Sequence, residues 1–178
     1  MRALVVYESM FGNTRAVALA IADGIRPVMD VEVVEVSSAP RTLPADIAMV
    51  VVGGPTHAHG LTSVKSRADA AQRAGDRFES SRSGIGDWLA GLLPGAATVA
   101  ATFDTRIKGP GILWGSAAKG AAKLLRAAGF RLVANPESFI VDGPTGPVFD
   151  RLMPGEIDRA KAWGVSLATR VAEPVPAR

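Results

Sequence analysis

The stretch Ala3–Thr14, ALVVYESMFGNT, decides how the rest of this 178-residue chain is read. Four apolar residues and a tyrosine predict a strand, and Glu8-Ser9-Met10-Phe11-Gly12-Asn13-Thr14 forms a short loop after it. A helical pattern opens at once from Thr14 to Arg26, with Val17, Ile21 and Ile25 on one face and Ala18 and Ala22 beside them. Strand, tight polar loop and helix N-terminus together make an anion site, because first-turn N–H groups and the helix dipole both favour negative charge. Ser9, Asn13 and Thr14 add side-chain donors, and Gly12 allows close backbone approach. The loop holds no Lys or Arg, which suits a phosphate monoester better than a triphosphate. The plainer alternative is that Ser9 and Thr14 only cap the helix.

Other nucleotide loops do not fit. A Rossmann loop needs G-x-G-x-x-G after the first strand, and a P-loop needs G-x-x-x-x-G-K-[ST]; neither occurs here. A phospho-acceptor receiver needs an acidic cluster after the first strand, where Glu8 stands alone, and an aspartate where the third strand ends Val52-Gly53-Gly54-Pro55.

Outward from the loop, Val31–Val36 (VEVVEV) alternates as a half-buried strand near a sheet edge. Ile47–Gly53 (IAMVVVG) and Ala97–Phe103 (ATVAATF) read as strands covered on both faces. Arg131–Val133 and Phe139–Val141 form a last strand interrupted at Asn135-Pro136. Helices are expected from Asp87 to Leu93, from Ser116 to Ala128 with Gly129 closing it, and from about Gly155 to Val171. In the last, Ile157, Ala160, Gly164, Leu167 and Val171 fall at core spacing. Val64–Ser83 is charged, serine-rich and weakly patterned where a further helix is expected; a solvated excursion is the preferred reading, with a helix plus flexible loop, a lid or a partner surface as alternatives. Alternating strands and helices predict an α/β fold, a doubly wound five-stranded parallel sheet of order 2-1-3-4-5. The domain is expected over residues 1–172, with 173–178 a flexible tail.

Composition sets further bounds. Forty-eight per cent of residues are hydrophobic, enough for a full core, and no apolar run reaches the ~18 residues of a membrane span. No cysteine is present, which excludes disulfides, iron–sulfur ligation and thiol chemistry. Two histidines without a carboxylate cluster point to no metal site. The net charge of +3 is diffuse and reads as solubility rather than nucleic-acid binding. A strand at the N-terminus, with no signal-like region, predicts a cytoplasmic protein.

The third strand is followed by Gly54-Pro55-Thr56-His57-Ala58-His59-Gly60-Leu61. With SMFGNT, this resembles the flavodoxin-like FMN-binding family, which carries [ST]-x-[ST]-G-x-T after strand one and, in its quinone-reductase branch, S-M-Y-G and G-x-P-T. The resemblance spans essentially the whole chain, although Phe11 stands where short flavodoxins often have a hydroxyl. It implies FMN as cofactor, with Ser9, Met10, Phe11, Gly12, Asn13 and Thr14 around the phosphate. Pro55, Thr56 and His57 would line the isoalloxazine ring, with backbone amides near its polar edge. Thr102, Phe103, Asp104 and Thr105 would form a second wall, and Trp114 is a candidate for stacking on the ring or for packing under the next helix. Tyr7, Trp88 and Trp163 are expected in the core. His57 is a candidate proton donor, His59 a second one, and an Asp104–Arg106 ion pair would be an ordinary surface feature. Low-potential flavodoxins are acidic around the flavin, so this basic chain is expected at higher potential. That tilts the reading from a one-electron carrier, docking with a redox partner, toward reduction of a small-molecule acceptor such as a quinone or porphyrinogen. The alternative is a flavin-free interaction module. The family contains both monomers and small homo-oligomers.

Overall fold

The computed structural model describes residues 1–57, 60–74, 83–93, 98–107, 115–142 and 151–172. The chain runs β1 (Arg2–Tyr7), α1 (Asn13–Ile25), β2 (Asp30–Glu35), a 3-10 turn (Val36–Ser38), β3 (Ile47–Pro55), α2 (Val64–Ala74) and α3 (Ile85–Leu89). It continues with β4 (Val99–Ile107), α4 (Ala117–Ala127), β5 (Arg131–Leu132), β6 (Glu137–Val141) and α5 (Glu156–Ala172). The sheet order is β2-β1-β3-β4-β5, all parallel, with β6 also on β4. β5 pairs with Val99 and Ala100, and β6 with Phe103 to Ile107, so the two are one edge position broken around Asn135-Pro136, as expected. The five-position order 2-1-3-4-5 is therefore the one the sequence predicts.

Two apolar layers sandwich the sheet. Val5, Met49, Val51, Ala101 and Phe103 face α1 and α5, packing on Val17, Ile21 and Leu167. Leu4, Val6, Val50 and Val52 face the other way, onto Ile85, Trp88 and Leu125. β3 contributes to both layers, the physical reason its run is continuously apolar. Trp88 is buried and donates its indole N–H to Pro40 O. Tyr7 and Trp163 are partly buried against the first layer. Gly129 adopts φ 88° and ends α4, as its position predicts.

Several expectations are corrected. Val64–Ala74 is a helix, the alternative reading of that segment rather than the preferred solvated excursion. Ser63 and Ser66 cap each other across its first turn, and its buried positions include Arg67 and Ala70. Hydrophobic periodicity misses a helix anchored by an arginine. The third helix starts at Ile85 and ends at Leu89, not Asp87–Leu93, because Leu93 leaves to bridge Thr42. β4 runs on to Ile107, since its polar residues find buried partners. Ile157 lies in the first turn of α5 and is 42% exposed, whereas Ala160, Gly164 and Leu167 are buried. Residues 173–178, Trp114 and His59 fall outside the described residues.

Candidate functional site

At the carboxyl edge of the sheet, β1 and β3 diverge to opposite sides, the switch point where doubly wound folds bind ligands. Residues 8–12 turn there into α1. Gly12 is the N-cap of α1 in the left-handed region, φ 86°, which a side chain would resist. The N-cap residue is Gly12, which has no side chain to cap with, and Thr14 lies within the helix rather than at its cap. Ser9 is buried and its Oγ accepts from Gly12 N at 3.1 Å, which shapes the loop. Thr14 is buried and shares a 2.7 Å hydrogen bond with Thr105 Oγ1 from the end of β4. Whichever hydroxyl accepts keeps its own proton for an outside group. Met10 is buried, while Phe11 and Asn13 are half-exposed at the loop. The first turn of α1 contains no acidic residue.

The second loop leaves β3 at Pro55. Thr56 N donates to Thr105 O (2.9 Å), and Thr56 Oγ1 donates to Asp104 Oδ2 (2.9 Å) while accepting from Ala117 N (2.9 Å). Its hydroxyl is thus committed to the start of α4. His57 N and Gly60 N each donate to the other residue's carbonyl at 3.1 Å. The backbone amides of Thr56 and His57, expected near the ring's polar edge, are therefore engaged within the protein.

Strand alternation sorts the proposed second wall. Phe103 points into the first layer, edge-on to Phe139 (6.2 Å) and Trp163 (6.4 Å), and its ring occupies the space a Cβ on Gly53 would need. Its side chain belongs to the core. Thr102 and Asp104 point to the opposite face, and Thr105 points to Thr14. Asp104 is fully buried, and its Oδ2 accepts from Thr56, Ser116 Oγ (2.6 Å) and Ala118 N (3.0 Å), which corrects the surface ion-pair reading. Thr102 Oγ1 and Asp104 Oδ1 are buried without a hydrogen-bond partner among the described residues.

Sequence reading missed a second buried carboxylate. Glu8 Oε1 accepts from Thr62 Oγ1 (2.6 Å) and Oε2 from Ile85 N (3.0 Å). Arg67, 7% exposed, donates to Thr62 Oγ1 (3.1 Å) and Asp87 Oδ2 (3.0 Å). Burial pushes the Glu8 carboxyl above its ordinary value, against the pull of Thr62, Ile85 and the Arg67 charge; Glu35 adds to the rise. The available signal was a lone acid directly between an apolar strand and the anion loop.

The cradle is made of hydroxyls, a glycine turn and a helix N-terminus, with the Glu8 carboxylate bonded away to Thr62 and Ile85. That donor set fits a phosphate monoester. Architecture and loop together define a flavodoxin-like α/β protein. The flavodoxin family model matches residues 5–163, and the chain belongs to that family, whose cofactor is FMN. No curated protein sequence matches it. Among solved structures it is similar to a flavodoxin from the domain Archaea, with 19% identity and TM-score 0.62, over 97% of this chain and 100% of that one. It is also similar to the Megasphaera elsdenii flavodoxin (16% identity, TM-score 0.58, 94% of this chain and 98% of that one). The flavodiiron protein of Giardia intestinalis matches at 20% identity and TM-score 0.59, over 96% of this chain but 36% of that one. At these identities the likeness is one of fold. No helix among the described residues is long and apolar enough to cross a membrane.

Proposed function

We propose that this chain, working as one domain over residues 1–172, is an FMN-dependent oxidoreductase of the cytoplasm that passes electrons to a diffusible acceptor such as a quinone. The Thr14–Thr105 hydroxyl pair beside the N-terminus of α1, whose first turn holds no acidic residue, is the observation that carries it. The residues holding FMN are Ser9, Gly12, Asn13, Thr14 and Thr105 at the phosphate, with the backbone of Pro55, Thr56 and His57 toward the ring. Bound FMN supplies the redox chemistry at its ring. What this chain adds is binding, orientation and field.

The field favours the enzyme over a low-potential carrier. Arg15, Lys65 and Lys119 are exposed and Arg106 is half-exposed on the elements that carry the site, while Asp87 in the first turn of α3 is paired with Arg67. The carboxylates of Glu8 and Asp104 are buried. Positive surroundings stabilise the anionic reduced ring and raise its potential. His57, half-exposed just beyond β3, is the candidate proton donor.

The test is a visible spectrum of purified protein after loading with FMN and removing the excess, followed by a nicotinamide donor and a quinone. Retained flavin with steady quinone turnover supports the proposal. Flavin reducible only through a partner reductase supports a carrier. A folded protein that retains no flavin removes the reading and leaves an interaction module.

A further inference from the structure

The excess of Lys and Arg looks diffuse along the chain, yet it is concentrated in one stretch. Between Thr105 and Pro136 stand Arg106, Lys108, Lys119, Lys123, Arg126 and Arg131, with no Asp or Glu among them. With that stretch set aside, the rest of the chain is net acidic. Lys119, Lys123 and Arg126 lie on α4 at i, i+4 and i+7, so they share its outer face along about 10 Å of helix. Ala117, Ala118, Ala121, Ala122 and Leu125 form the buried face. Arg131 follows the helix, exposed at the start of β5.

Helix stability does not account for these cations. Ser116 is the N-cap of α4, and its Oγ accepts from Lys119 N at 3.1 Å. Lys119 therefore stands at the third helical position, where a glutamate would complete a capping box and suit the helix dipole. Lys119 and Lys123, one turn apart, also repel each other. Neighbouring carboxylates do not neutralise them. Arg2, Arg26, Arg67 and Arg159 each pair with an acid, whereas Lys119, Lys123, Arg126 and Arg131 form no ion pair among the described residues. Local rules broken without local compensation mark a functional surface.

The chemistry of the face selects its occupant. A helix that lies on a membrane carries several bulky apolar side chains beside its cations, and α4 exposes one, Leu124. Single-stranded nucleic acid needs aromatic rings for its bases, and α4 has none. A short cationic strip on a chain otherwise net acidic matches a local acidic patch and repels an extended polyanion elsewhere. We propose that the outer face of α4 docks an acidic partner protein, whose carboxylates pair with Lys119, Lys123 and Arg126. The near end of this face adjoins the candidate site, because Ser116 Oγ and Ala118 N donate to Asp104 and Ala117 N donates to Thr56. The proposal stands apart from the FMN reading, and its test does not require flavin.

The full chain, isotope-labelled, is titrated with poly-L-glutamate at low salt and followed by amide NMR. Shifts are expected along α4 and at Arg131. Lys119→Glu with Lys123→Glu should weaken binding about tenfold or more. Lys161→Glu with Arg170→Glu, exposed on α5 across the sheet, makes the same change in net charge and should leave affinity within about twofold. Lys119→Gln with Lys123→Gln serves if the first pair does not fold. Absence of binding, shifts spread evenly over the cationic residues, or equal weakening by the two pairs of reversals overturns the proposal. Phosphatidylglycerol vesicles and poly(U) RNA are titrated at matched charge. Tighter binding of either to α4 assigns the face to a membrane or a nucleic acid and overturns the protein partner.

Discussion

The hydroxyls of Thr14 and Thr105 lie 2.7 Å apart although 91 residues separate them in the chain. This single bond ties the anion loop to the end of β4, and it leaves one O–H of the pair for an incoming phosphate oxygen. Thr14→Val is expected to weaken FMN binding by ~1 to 2 kcal/mol, roughly five- to thirtyfold, with riboflavin affinity unchanged. Thr105→Val should cost less, because Thr14 then keeps its own hydroxyl for the phosphate. Combining Thr14→Ala with Ser9→Ala should reach a few kcal/mol, since Ser9 also shapes the turn through Gly12 N. Parallel titrations with FMN and riboflavin check the series.

A second prediction concerns the frame behind the site. Gly24 of α1 and Gly164 of α5 let the two helices touch backbone to backbone. A Cβ on Gly24 would lie 2.1 Å from Lys161 O, and one on Gly164 would lie 2.2 Å from Ile21 O. These are main-chain atoms, so the clash is relieved only by separating the helices. Either Gly→Ala substitution should destabilise the protein by about 2–3 kcal/mol or more, despite alanine's better helix propensity. A propensity-driven stabilisation in chemical denaturation would contradict the packing.

The order of the sheet was legible because its strands carry apolar runs whose patterns follow their burial. VEVVEV alternates at the edge, IAMVVVG serves two layers, and Asn135-Pro136 breaks the last strand. The anion loop was legible because turn and donor residues are local to it. What stayed hidden was held by polar contacts across long sequence separations. α2 is anchored by Arg67 onto Thr62 and Asp87, so no apolar stripe announces it. β4 continues through Asp104 and Thr105 because Thr56 and Thr14 receive them, 48 and 91 residues away. Once the strand is extended, its alternation alone sends Phe103 to the core and Asp104 to the opposite face.

Two carboxylates should pull the pH dependence of stability in opposite directions. For Glu156, burial pushes the pKa up, but the Arg159 and Ile140 hydrogen bonds and the Arg159 charge outweigh it and hold the carboxyl below its ordinary value of 4.5. Its contribution is therefore present above 4.5 and lost as pH falls through the folded-state pKa. Glu156→Gln should cost about 1–2 kcal/mol at pH 7, with the deficit closing in acid. Glu8 is raised, so its charge costs stability at high pH, and protonation recovers that stability as pH falls through the folded pKa toward 4.5. Relative to Glu8→Gln, the wild type should gain stability as pH drops through that window. Urea titrations at several pH values read both slopes, and parallel slopes for the two variants would contradict the assignment.

The cationic frame of the site makes a prediction about potential. Arg15 is exposed in the first turn of α1 and Arg106 is half-exposed just beyond Thr105. A positive charge near the ring favours the state with more electrons, and reversing its sign disfavours that state. A surface charge at roughly 8 Å is worth about 1 kcal/mol at an effective dielectric of about 40, so a reversal is worth about 2 kcal/mol. For a two-electron couple that corresponds to about 40 mV, before salt screening. Arg106→Glu should therefore lower the midpoint potential of bound FMN by about 20 to 40 mV at low ionic strength. The shift should shrink toward zero at 0.5 M salt, where the screening length is only a few ångströms. Arg26→Glu, in the C-cap of α1 at the opposite end of the helix, serves as the distant control and should leave the potential unchanged. Equal shifts from both reversals would show that net charge, rather than the frame around the ring, sets the potential.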